Sequence, residues 1–145
     1  EYNLLIAGIG PEEKKVRNIA NSKTNIHYLG YQSKQNTISL IRGSDLLIQP
    51  SIMEGISSTL LEAMGCETCI IASNVGGNIE IIENNKTGVL VEPNNAEELV
   101  DKISYLLTEN EKRSAMAANS FKTVVKYDWK QVGKLYLDIY ESLLH

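Results

Sequence analysis

Residues 45–73 read DLLIQPSIMEGISSTLLEAMGCETCIIAS, and the fold follows from how that stretch is punctuated. An apolar run, Asp45 to Gln49, stops at Pro50, and a polar loop containing Gly55 follows. Ser58 to Gly65 then carries helical spacing, and Cys69 to Ala72 is a second apolar run. Strand, loop, helix and strand in so short a span make a βαβ unit. Short strands that are apolar on both faces belong to a parallel sheet covered by helices.

The same alternation extends outward in both directions. Further strands are predicted at Asn3 to Ala7, Asn25 to Leu29 and Val89 to Val91, and helices at Glu12 to Asn21, Lys34 to Arg42, Asn78 to Glu83 and Ala96 to Leu107. Beyond Pro93 the pattern is purely helical. Asn95 is predicted to cap a helix with Glu97 and Glu98 in its first turn. A last helix is predicted from about Trp129, with Val132, Leu135, Tyr136, Ile139, Tyr140 and Leu143 forming one stripe expected to pack against the body of the domain. The expected architecture is one α/β domain over residues 1–145: a Rossmann-like, doubly wound parallel sheet followed by C-terminal helices.

Composition narrows the function. The 145 residues are 43% hydrophobic and 22% charged, the mix of a globular domain large enough to hold an apolar core. A formal charge of -4 and the lack of a basic run argue against a nucleic-acid partner. No apolar run approaches the roughly 20 residues of a spanning helix. The chain opens on Glu1-Tyr2-Asn3 with neither Met nor an export signal, so it is expected to be a piece of something longer.

Several motifs can be set aside. Cys66-Glu67-Thr68-Cys69 has no second Cys pair, and His27 and His145 are the only histidines, which leaves structural zinc without four suitably spaced ligands. The pair also follows a helix rather than opening one, the wrong place for a redox dithiol, so two reduced thiols of a cytoplasmic protein are expected. In Gly8-Ile9-Gly10-Pro11 the third glycine of a dinucleotide fingerprint would fall on Glu13. A phosphate-cradling P-loop motif is absent as well.

The densest chemistry lies at the carboxyl end of the strand Asp45 to Gln49, the edge where open parallel sheets bind ligands. Gly55 permits close backbone approach, and Ser57, Ser58 and Thr59 can each start the next helix, whose first amides would face an anion such as a diphosphate. Glu54 precedes that helix and Glu62 lies about one turn into it. A carboxylate in such a loop suits sugar hydroxyls. Hydrolysis of a glycosidic bond would need the two carboxylates facing each other across it, a geometry that spacing alone does not give. A purely structural role is open to Glu62, because Thr59-Leu60-Leu61-Glu62 has the form of a capping box.

The segment Glu54-Gly55-Ile56-Ser57-Ser58-Thr59-Leu60-Leu61-Glu62-Ala63-Met64 resembles the E-x7-E segment of the group 1 (family 4) retaining glycosyltransferases, whose fold is GT-B. The likeness continues in order through Leu5 to Pro11, His27 to Tyr31, Asp45 to Ser51, Val75-Gly76-Gly77 with Glu80, and Thr87 to Pro93, and so covers essentially the whole chain as that family's C-terminal, donor-binding domain.

The resemblance implies a set of roles. Glu62 would hold the ribose hydroxyls of a nucleoside diphosphate sugar, and Glu54, the implied catalytic residue, would contact the transferred sugar near its reacting carbon. Gly55, Ile56, Ser57 and Ser58 would offer backbone groups to sugar and diphosphate, Tyr31 would flank the base, and Gly76 and Gly77 would shape a turn beside the donor. The implied reaction is retaining transfer of a glycosyl group to an acceptor hydroxyl, with neither metal nor cofactor, in polysaccharide or glycolipid assembly. The Arg and Lys that neutralise the leaving diphosphate in that family precede the strand matching Asn3 to Ala7. The N-terminal acceptor domain is expected to be a partner outside this chain, so the chain alone is expected to transfer no sugar and to be prone to self-association. The implied location is the cytoplasm, with any membrane attachment made through the absent domain.

Without the family's first strand, Asn3 to Ala7 and Asp45 to Gln49 are expected to pair directly or leave a gap. Three positions depart from the family pattern: Glu67-Thr68-Cys69 replaces Gly-x-Pro, Ile79 stands where Pro is common, and Ile56 where an aromatic is common. Two other functions fit the same architecture, a non-catalytic nucleotide-binding or assembly module and a sugar-nucleotide epimerase.

Overall fold

The computed structural model describes residues 2–144. They fold as alternating strands and helices in two compact units, one ending at Leu40 and the other starting at Ile41.

In the first unit, β1 (Leu4–Ala7) and β2 (Ile26–Gly30) form a parallel pair in register from Leu4 opposite Ile26 to Ala7 opposite Gly30, with an irregularity between Ile6 and Ala7. Helix α1 (Glu13–Asn21) makes the crossover, as parallel strands require. Beyond β1, the Tyr28 hydroxyl donates to the Gly8 carbonyl at 2.8 Å, and Arg17 lies over the Tyr28 ring while pairing with Glu13 at 2.7 Å. Helix α2 (Lys34–Arg42) runs across the boundary between the units.

The second unit is built on three parallel strands, β3 (Leu46–Gln49), β4 (Cys69–Ser73) and β5 (Val89–Val91), in that order. Thus β1 and β3 belong to different sheets, each in its own unit, and among the described residues they form no ladder with one another. β4 is central and buried along its whole length. Its side chains alternate between two cores. Ile70 and Ala72 pack with Leu60, Ala63 and Met64 of α3 (Ser58–Gly65) and with Ile81 of α4 (Asn78–Ile81). Cys69 and Ile71 pack with Leu106 of α5 (Ala96–Thr108) and with Met116 and Ala117 of α6 (Asn110–Val124). Helices on both faces of one strand row make this a doubly wound arrangement, and each fully buried isoleucine contributes roughly 1.5–3 kcal/mol.

Caps and ties fix the ends of these elements. Asn95 caps α5 by accepting from the Glu98 amide at 3.1 Å. At the other end of that helix, Arg113 donates to the carbonyls of Leu106 and Leu107 and pairs with Asp45, just before β3, at 3.0 Å. Helix α3 ends in a Schellman turn: Thr68 N donates to Ala63 O, Glu67 N donates to Met64 O, and Glu67 takes the left-handed conformation with φ of 55°.

Two expectations require correction. Helix α4 stops at Ile81 rather than Glu83, because Ile82 turns extended and the next residues form a tight loop in which Thr87 bonds the Glu83 backbone. The stripe of α7 (Trp129–Leu143) does not pack into the body: no residue of α7 is buried, and Leu135, Tyr136, Ile139, Tyr140 and Leu143 are each more than half exposed. The reason is that the second unit's core is already closed before α7 begins, by Val124 and by Tyr127 in the 3-10 turn after α6. Among the described residues, no helix is long and apolar enough to cross a membrane.

Candidate functional site

The site is assembled at the carboxyl ends of β3 and β4, adjacent parallel strands whose following loops emerge on one edge of the sheet. Gln49 ends β3, and the loop 50–57 carries Glu54 back over it. Gln49 Nε2 donates to Glu54 Oε1 at 2.7 Å and to Ser57 Oγ at 2.8 Å, and Ser51 Oγ donates to the same Glu54 oxygen at 3.0 Å. Two donors on one carboxylate oxygen hold the half-buried side chain in a single orientation. Among the described residues, the hydrogen bonds to this carboxylate all fall on Oε1.

Ser57 starts α3. Its backbone is extended and its buried hydroxyl accepts from Leu60 N at 3.4 Å, so Ser57 is the N-cap and Leu60 occupies the third helical position. A capping box would therefore need its glutamate at position 60, and Thr59 already lies inside the helix. Glu62 is not part of a capping box; it sits half-buried in the second turn of α3. The amides of Ser58 and Thr59 precede any intrahelical acceptor, which leaves the partial positive end of α3 beside the Glu54 loop.

The loop after β4 closes on this loop from the neighbouring strand. Gly77 N donates to Glu54 O at 3.2 Å. A Cβ on Gly76 would overlap the Glu54 carbonyl, and one on Gly77 would overlap the Gly55 carbonyl. Gly76 also has φ of 43°. Two glycines are needed there because backbone meets backbone. Next to them, Asn78 is fully buried and its Nδ2 donates to Ser73 O at 3.0 Å, whereas its Oδ1 has no partner among the described residues.

The structure thus brings Glu54, Gly55, Ile56, Ser57, Ser58, Gly76 and Gly77 together at one sheet edge. Ile56 is exposed there. Tyr31 belongs to the first unit, where it follows Gly30 at the end of β2 with its side chain 74% exposed. Gln49 and Ser51 went unrecognised as site residues in the sequence. The available signal was an amide ending an otherwise apolar parallel strand at its ligand-binding end. A groove of about 520 Å3 near α7, lined by Val125, Lys126, Gln131, Lys134, Leu135 and Asp138, includes none of the expected site residues.

Over residues 1–123 the chain matches the family described as glycosyl transferases group 1. The chain belongs to that family. It is 31% identical, over 99% of its length, to an uncharacterized glycosyltransferase of Methanocaldococcus jannaschii, of which it spans 41%. A crystal structure of a glycosyltransferase from Rickettsia africae superposes with a TM-score of 0.86 at 31% identity, covering 99% of this chain and 40% of that one. The Anabaena protein HepE, crystallised with UDP-glucose, superposes with a TM-score of 0.77 at 21% identity, covering 92% of this chain and 40% of that one, a likeness of fold alone. This glycosyltransferase chain therefore has the Rossmann-like α/β fold of GT-B enzymes and spans less than half the length of the curated relative it matches.

Proposed function

We propose that this chain is the donor-binding part of a retaining glycosyltransferase that takes a nucleoside diphosphate sugar and passes its glycosyl group to an acceptor hydroxyl. The observation that carries this reading is the single sheet edge at which a tethered carboxylate, Glu54, lies beside the open amides of α3 and under the Gly76-Gly77 turn. A neutral polyol and an anion are the two chemistries such an edge can hold at once. The diphosphate would meet the Ser58 and Thr59 amides, the sugar hydroxyls would meet Glu54, and Glu62, one turn deeper in α3, would take the ribose.

Negative charge develops on the departing diphosphate during transfer, so preorganised donors aimed at it supply the main stabilisation. The α3 amides are one source. Cations outside this chain would be the other, and the reading requires no metal. The remaining length of the protein would bring the acceptor and exclude water. Assembly of polysaccharide or glycolipid at the cytoplasmic side is the setting that suits such an enzyme.

The test is titration of the full-length protein that carries this chain with UDP-glucose, UDP-N-acetylglucosamine and GDP-mannose. Glu62→Gln is expected to weaken binding of the preferred donor about 10- to 100-fold, the loss of a charge-assisted hydrogen bond worth roughly 1.5–3 kcal/mol, without lowering the melting temperature. A fall in melting temperature with affinity intact would assign Glu62 a structural role and refute its place in the site.

A further inference from the structure

The geometry points to Gln49 as the positioning residue that aims Glu54 at the sugar and links it to the anion-binding end of α3, an inference that rests on the donor-site reading above. Gln49 is the last residue of β3 and so belongs to the rigid sheet, whereas Glu54 stands in a loop. One amide nitrogen spans the two: Nε2 donates to Glu54 Oε1 at 2.7 Å and to Ser57 Oγ at 2.8 Å, using both of its hydrogens. Ser57 Oγ returns a hydrogen bond to Gln49 Oε1 at 3.2 Å while still accepting from Leu60 N. The amide orientation is dictated by the carboxylate, because a carbonyl in place of Nε2 would face Glu54 with no proton between two acceptors.

The consequence is directional. Oε1 of Glu54 is engaged from below by Gln49 and from the loop by Ser51, so the carboxylate has Oε2 to offer a ligand hydroxyl. The same amide also touches Ser57, but that serine caps α3 through its own bond from Leu60 N, so loss of the Gln49 amide falls on the sugar-facing group and leaves the phosphate-facing amides in place. That loss leaves Glu54 able to rotate about its own side chain. A nucleoside diphosphate without a sugar does not reach Glu54 and is indifferent to this rotation. Such sensitivity to the sugar alone separates positioning from general support of the fold.

The test uses the full-length protein and donor hydrolysis, read as released nucleoside diphosphate, with UDP-glucose, UDP-N-acetylglucosamine and GDP-mannose offered in parallel. Gln49→Met is expected to lower kcat at least tenfold while binding of UDP or GDP alone stays within twofold. Gln49→His, whose ring Nε2 can replace the amide donor, is expected to recover a substantial part of the loss. In a Glu54→Gln background, Gln49→Met is expected to add nothing. Should Gln49→Met not fold, Gln49→Asn keeps an amide at the position but falls short of Glu54, and the same losses are expected of it. A kcat within twofold of wild type for these variants, with Glu54→Gln inactive, overturns the positioning role and leaves the donor site standing. Full activity of Glu54→Gln, or a wild-type protein that hydrolyses none of the three donors, overturns the donor reading and this inference with it.

Discussion

Glu67 shows what a single backbone angle demands. It occupies the residue after the C-cap of α3 with φ of 55°, where a side chain costs about 1 kcal/mol relative to glycine. Glu67→Gly is therefore expected to raise stability by about 1 kcal/mol in urea unfolding, because the Schellman hydrogen bonds of Thr68 and Glu67 are backbone bonds and persist. Two residues on, Cys69 lies in the core and burial pushes its thiol up to about 11 from 9.0. The folded state thus holds the proton more tightly than the unfolded chain. The resulting stabilisation, about 2–3 kcal/mol, is complete below pH 9 and is lost as the pH rises towards 11. Unfolding free energies measured between pH 8 and 11 should fall over that window in the wild type and fall less in Cys69→Ala. That the two thiols bracket the passage from the end of a helix to the start of a strand was legible in the sequence. That Cys66 packs against one core and Cys69 lies within the other was not, because the sequence does not say which face of a strand its first residue takes.

At the scale of elements, the βαβ punctuation of residues 45–73 is reproduced closely: α3 spans Ser58–Gly65 as predicted, and β4 extends one residue further, to Ser73. Pro50, the serines and Gly65 carry that signal locally. The start of α3 was open among three candidates; Ser57 is the one whose hydroxyl accepts from Leu60 N, and Gln49, eight residues earlier, adds a second bond to that hydroxyl. Ser57→Ala should lower stability by about 1 kcal/mol through the lost cap, measured by thermal unfolding. Gly77→Ala tests the contact between loops. Gly77 has an ordinary negative φ, so the substitution strains nothing by itself, yet its methyl would displace the Gly55 carbonyl. A loss of about 1–3 kcal/mol together with weakened donor binding is expected; unchanged binding would argue against a shared site. The α7 stripe was legible as periodicity, but periodicity marks a face without naming what covers it. Its amides should exchange with solvent faster than those of β4, a contrast that hydrogen-exchange mass spectrometry measures directly.

For the molecule as a whole, the α/β class, the parallel strands and the family were all carried by short motifs in order along the chain. The division into units at Leu40 was not, because α2 crosses it without any break in sequence pattern. The chain spans 41% of the length of its Methanocaldococcus jannaschii relative, and the proposed reaction assigns further cations and a water-excluding surface to the rest of the protein, so the chain alone is expected to release no nucleoside diphosphate from UDP-glucose or GDP-mannose above the uncatalysed rate. Turnover by the isolated chain, followed by coupled detection of the diphosphate, would contradict this.

Strand β3 has a division of labour between its ends. Before its first residue, Asp45 is clasped by Arg113, whose side chain is only 16% exposed and also grips the last carbonyls of α5. At its last residue, Gln49 faces the loop where ligands would arrive. A handful of residues therefore separates the scaffold's fastening from its working tip. If the tip is the donor site proposed above, drift in its loops would retune which sugar is accepted while the clasp keeps the framework upright, and damage to the clasp would loosen the framework without changing that preference.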